Sequence, residues 1–148
     1  LMTETQSDFL RKNRIRDSKI VHKSERNALE KIIKQNSIKH EILKTFPNEL
    51  DNLLENGTNL NELEAIEVAK VINALNNKKD KIKVIIDCPS PNTMAWRASL
   101  MSKLKHAQNL EVRCEHKADV NHIPVAAASI LAKVIREEEV EKIKKQYG

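Results

Sequence analysis

Val84-Ile85-Ile86-Asp87-Cys88-Pro89-Ser90-Pro91-Asn92 is the stretch on which the fold turns. A β-branched run closed by a carboxylate reads as a strand, and Pro89 and Pro91 end it, because proline lacks an amide donor and disfavours helix just before it. Asn92 to Lys105 reads as a helix, and Leu110-Glu111-Val112-Arg113-Cys114-Glu115-His116 alternates as a second strand, with Asp119 just beyond. A strand-helix-strand unit of this length crosses over right-handed and makes the two strands parallel neighbours. Asp87 and Asp119 then belong to one edge of the sheet, where ligands of open α/β sheets collect. Mg²⁺ prefers a few carboxylate oxygens plus retained waters, so the pair is a candidate metal site suited to phosphoryl-ester chemistry. An aspartate after a strand also serves as a turn or cap residue.

Working outward, Thr3 with Gln6 forms a capping box for a short helix, and Ser24 is placed to cap a second carrying Ala28, Leu29, Ile32 and Ile33. Ile38, His40 and Ile42 alternate as a strand. Pro47 to Leu54 reads as a short helix, and after Gly57, Asn59 with Glu62 opens another that ends near Asn76-Asn77. The last helix is the best defined: Pro124 suits its first turn and Gly148 its end, and Lys142, Lys144 and Lys145 lie where the dipole favours cations. Glu138 with Lys142 and Glu141 with Lys145 have i to i+4 spacing, which marks Glu137-Glu138-Glu139 as a solvated face. Ala126-Ala127-Ala128-Ser129 allows close approach of a neighbour.

A chain of 148 residues, 40% hydrophobic and 32% charged, fits a single domain spanning residues 1–148 with a sizeable core. The longest apolar run, Ile123 to Leu131, is far short of a bilayer span, and the N-terminal residues lack a signal-peptide layout, so no membrane and a cytoplasmic or nuclear setting are expected, the cytoplasmic one preferred. Cys88 and Cys114 form no Cys-x-x-Cys pair and read as reduced core thiols. The net charge of +5 permits an anionic partner. One basic cluster, Arg11 to Lys23, surrounds Asp17-Ser18-Lys19; a second, Lys78 to Lys83, precedes the Asp87 strand. Only four aromatic residues, Phe9, Phe46, Trp96 and Tyr147, argue against a stacking platform for single strands.

Asp87-Cys88-Pro89-Ser90-Pro91-Asn92, Glu115-His116-Lys117-Ala118-Asp119 and Ala127 through Arg136, together with Asp17-Ser18-Lys19 and Asn59 through Glu64, resemble ribonuclease HII of the archaeal type, in order and along essentially the whole chain. The resemblance implies an α/β fold with a ribonuclease H-like mixed sheet flanked by helices, here without its first strands. It also implies hydrolysis of the RNA strand of RNA-DNA hybrids, including at single ribonucleotides in duplex DNA, with Mg²⁺ or Mn²⁺. By residue-wise carry-over, Asp87 and Asp119 match two of the four metal-binding catalytic carboxylates. The Asp-Glu-Ala-Gly-Arg-Gly and Gly-Tyr-Pro segments of the family have no counterpart in the sequence. An internal fragment, monomeric when intact and showing negligible hydrolysis by itself, is therefore expected. Ser18 and Lys19 are candidates for backbone contact, and Lys133 and Arg136 could reach phosphate or make structural ion pairs. His122 stands where the family usually has tyrosine, and Glu137 where it has aspartate.

Two other classes remain. A non-catalytic nucleic-acid-binding module would also explain the basic loops. Cys114, His116, Asp119 and His122 offer zinc-type ligands, but no second cysteine pair backs them.

Overall fold

The computed structural model describes residues 1–15 and 21–148. In chain order the elements are α1 (Glu4–Lys12), α2 (Lys23–Gln35), α3 (Pro47–Glu55), α4 (Leu60–Leu75), β1 (Ile82–Asp87), α5 (Thr93–Ser102), β2 (Leu110–Glu115), α6 (Ala118–Asn121) and α7 (Ile123–Tyr147). They fall into two compact units, one of residues Leu1–His40 with Ala118–Gly148 and one of Glu41–Lys117.

The second unit holds the expected crossover. β1 and β2 pair in parallel, with Ile82 opposite Leu110 and Asp87 opposite Glu115. The α/β expectation holds, and the mixed sheet implied by the resemblance is represented among the described residues by this parallel pair. Ala65, Ala69, Ile72, Trp96, Leu100 and Val112 form its core, joining α4 and α5 to the sheet. Small residues on α4 leave room for the indole of Trp96, which is 3% exposed. α4 starts where expected: the Asn59 side chain accepts from the Glu62 amide at 2.9 Å. α5 is shorter than the predicted Asn92–Lys105. It closes at Ser102, and the Lys105 amide beyond it donates to the Asn73 side chain at 3.0 Å.

The first unit is helical. Ala126, Ala127, Ile130, Leu131 and Val134 of α7 pack with Leu10, Ile15 and Ile33. Of the expected close-approach stretch, Ala126 and Ala127, each 1% exposed, are packed, whereas Ala128 is exposed. The Thr3 capping box forms with both arms, at 3.1 Å from the Gln6 amide and 2.9 Å from the Thr3 amide.

Four expectations need correcting. Ile38, His40 and Ile42 form no strand: the Ile38 amide donates to the Leu1 carbonyl at 2.9 Å, and Ile38 is 60% exposed. Without a partner strand or a buried face, alternation alone does not make a ladder. Ser24 does not cap α2, which starts two residues earlier than that cap implies, at Lys23 after His22, and has no side-chain cap bond. On α7 the direct ion pairs are at i to i+3, Lys142 with Glu139 at 2.9 Å and Lys144 with Glu141 at 3.2 Å, while the expected i to i+4 partners, Glu138 for Lys142 and Lys145 for Glu141, act through their charges without direct contact. Both spacings bring side chains together on a helix, and here the shorter one makes the contact. Finally, Glu137 is not on a solvated face: it pairs with Arg26 of α2 at 2.5 Å, the side chains being 23% and 14% exposed.

Candidate active site

Asp87 is the last residue of β1 and is exposed, so the strand places an aspartate at the carboxyl end of the parallel pair. The ladder continues one step past it, since the Cys88 amide donates to the Glu115 carbonyl at 2.8 Å. The chain then runs through Pro89, Ser90 and Pro91 to Asn92, whose side chain caps α5 by accepting from the Ala95 amide at 3.1 Å. Ser90 is 8% exposed, the one buried polar residue among those described. Its hydroxyl accepts from the Asn92 amide at 3.3 Å. His116, directly after β2, places Nε2 at 2.8 Å from the Ser90 carbonyl.

Asp119 lies in α6, the short turn of helix after β2, and is half-buried; α6 packs on α7 within the helical unit. Lys133 and Arg136 sit on α7 with i to i+3 spacing, Lys133 half-buried and Arg136 exposed. Ser18 and Lys19 lie outside the described residues.

Among the described residues no group of three or more His, Cys, Asp or Glu side chains is gathered as a metal cluster. The donor chemistry of Asp87 and Asp119 still suits a hard divalent cation, because carboxylate oxygens with retained water are what Mg²⁺ and Mn²⁺ take. His116 is a weaker candidate ligand than its residue type suggested, its Nε2 being engaged with a carbonyl. Cys88 and Cys114 are free thiols, as expected. Burial pushes the Cys114 thiol up from its ordinary value, with Cys88 adding to the effect and Arg97 opposing it.

Sequence reasoning missed two polar arrangements in the sheet unit. One is the Ser90 carbonyl and its histidine. The other is Glu62, which leaves its expected capping role: its carboxylate takes the Ser99 hydroxyl at 2.9 Å and Lys103 at 2.6 Å. Those two partners, Lys103 first, hold the Glu62 carboxyl below the usual range.

Solved structures define the class. The chain superposes on the ribonuclease H2 of Pyrococcus horikoshii with a TM-score of 0.86 and 31% identity, covering 99% of this chain and 66% of that one. It also superposes on a structure of the PCNA:RNase HII complex from Archaeoglobus fulgidus, with a TM-score of 0.82 and 32% identity over 96% of this chain and 64% of that one. An α/β domain with aspartates at and just after the carboxyl ends of two parallel strands is thus of the ribonuclease H2 kind.

The Ribonuclease HII family matches over residues 1–148, and the chain belongs to that family. Curated relatives include the ribonuclease HII of Methanococcus aeolicus, 37% identical over 90% of this chain and 53% of its own length. That of Pyrococcus furiosus is 35% identical over 100% of this chain and 63% of its own length. The chain therefore spans less than two thirds of these relatives. Both relatives are named as ribonucleases.

Proposed function

We propose that this chain supplies part of the active site of an endonuclease that hydrolyses the RNA strand of RNA-DNA hybrids, including at single ribonucleotides in duplex DNA. Asp87 and Asp119 are two of its metal-binding catalytic carboxylates. The family match over residues 1–148 carries the reading, and it is supported by the placement of Asp87 as the last residue of β1.

The chain's own residues do three things. Asp87 and Asp119 offer negative oxygens that would hold Mg²⁺ or Mn²⁺. Divalent ions bound there would supply Lewis-acid charge for activating water and for the leaving oxygen. Lys133 and Arg136, neither of which joins an ion pair among the described residues, are available to neutralise phosphate charge, and Ser18 and Lys19 are assigned to backbone contact. Selectivity for a ribonucleotide requires reading the 2′-hydroxyl, the group that distinguishes RNA from DNA at a given site. A single copy acting in the cytoplasm fits this role. Among the described residues no helix is long and apolar enough to cross a membrane.

The test compares this chain with the same chain joined to the flanking segments of the Methanococcus aeolicus ribonuclease HII that extend beyond the match. The substrate is a duplex with one ribonucleotide, with Mg²⁺ or Mn²⁺ present, and an all-DNA duplex is the control. The joined protein is expected to nick only the ribonucleotide strand and to lose at least about 100-fold in rate on Asp87→Asn or Asp119→Asn, the scale of losing transition-state charge stabilisation. Equal cleavage of both duplexes, or full activity in both asparagine variants, would refute the proposal.

A further inference from the structure

We propose that His116 is a positioning residue for Asp87, acting through the backbone carbonyl of Ser90; the inference rests on the reading of Asp87 as a metal-binding carboxylate. The loop leaving Asp87 has few means of holding itself. Pro89 and Pro91 carry no amide hydrogen, so after the Cys88 amide makes its bond to the Glu115 carbonyl at 2.8 Å, the loop has no backbone ladder left to follow.

What anchors it converges on Ser90. His116 Nε2 lies 2.8 Å from the Ser90 carbonyl oxygen, and the Cys88 thiol donates to the same oxygen at 3.5 Å. A carbonyl only accepts, so Nε2 is the protonated ring nitrogen. The thiol is the weaker donor, which leaves the imidazole as the principal partner of a carbonyl whose residue is 8% exposed. Removing the imidazole leaves an acceptor on an enclosed residue without its principal donor. From Ser90 the restraint passes on in both directions: forward through the Ser90 hydroxyl to the Asn92 amide and so to the cap of α5, and back through one proline to Cys88 and Asp87.

The ring itself has a firm base. His116 follows Glu115, the last residue of β2, whose carbonyl is fixed by the Cys88 amide. The imidazole therefore ties the loop after β1 to the end of β2, and the direction in which the chain leaves Asp87 is set by that tie. Groups behind a metal-binding carboxylate govern affinity because they fix where its oxygens point.

The experiment is a Mn²⁺ titration followed by electron paramagnetic resonance, with amide hydrogen exchange on the same samples. It uses this chain and its Asp87→Asn, His116→Leu and His116→Gln variants. His116→Leu is expected to weaken Mn²⁺ binding about 10-fold, the low end of the effect of removing such supporting groups. It should also speed exchange at the Asn92 amide while the β1–β2 ladder amides keep their protection. His116→Gln, whose amide nitrogen can occupy the place of Nε2, should restore both. Wild-type affinity in His116→Leu, or a glutamine variant no better than leucine, overturns the proposal. If Asp87→Asn leaves Mn²⁺ binding unchanged, the underlying reading of Asp87 fails. Binding lost in Asp87→Asn but kept in His116→Leu defeats the positioning role alone. Should the leucine variant not fold, His116→Ser, too short to reach the carbonyl, gives the same comparison.

Discussion

Breaking the Arg26–Glu137 pair from one side should cost far more than replacing it from both. Arg26 of α2 donates to Glu137 of α7 at 2.5 Å, with 14% and 23% of the side chains exposed. The Arg26 Nε is enclosed and has no hydrogen-bond partner among the described residues. Removing one partner of a fully buried pair costs about 3–5 kcal/mol, and partial exposure lowers that to about 2 kcal/mol here. Arg26→Leu and Glu137→Leu should each lose that amount. The double variant should lose about 1 kcal/mol or less, because it buries neither an orphan charge nor the unpaired Nε. The coupling is then about 3 kcal/mol, the upper end for residues in direct contact. Urea unfolding followed by circular dichroism at 25 °C reads this directly: with a slope of about 2 kcal/mol per M, each single variant shifts the midpoint by about 1 M. A double variant that loses the sum of the two singles would refute the reasoning. Glu137→Asp, one methylene shorter, should fall between wild type and Glu137→Leu.

Leu100, 0% exposed in the core of the sheet unit, should lose about 2–5 kcal/mol on Leu100→Ala, measured by the same urea titration. Asn59→Ala removes the 2.9 Å cap of α4 and should cost about 1 kcal/mol. The Glu62 carboxyl is held below its ordinary 4.5 by Lys103 and Ser99, so its contribution is fully present above pH 4.5 and is lost as the pH falls through the lowered value. Glu62→Gln should therefore flatten the acid limb of a thermal-midpoint profile, and an unchanged limb would count against the pairing. Cys114, whose thiol is raised by burial, should alkylate with iodoacetamide more slowly than a free cysteine at pH 8, as read by mass spectrometry.

The elements that could be read from the sequence are those whose signal is local. β1 was legible because Val84, Ile85 and Ile86 run into a proline pair, and α4 because Asn59 stands before an apolar face and its cap bond forms. What escaped depends on partners distant in the chain. Ile38, His40 and Ile42 alternate as a strand does, yet the Ile38 amide bonds to the Leu1 carbonyl, and a strand without a neighbour is only extended chain. Likewise Glu137 looked solvated among its neighbours on α7 until α2 brought Arg26 to it.

The candidate site divides along the same line. Aspartate at a strand end is legible as a candidate because cation and phosphoryl chemistry restrict the residue type, so type and spacing nominate Asp87 and Asp119. The role of His116 could not, because what it binds is a backbone carbonyl, and any residue type has one. Its signal lies instead in the loop opposite. Two prolines remove the amides at residues 89 and 91, a buried serine stands between them, and its carbonyl needs a donor from elsewhere. A histidine directly after the neighbouring parallel strand can meet that need, since the register puts Asp87 opposite Glu115 and so brings the two strand exits together. Where a proline-rich exit follows a functional residue on one parallel strand, the first polar side chain past the end of the adjacent strand is therefore the place to look for its support.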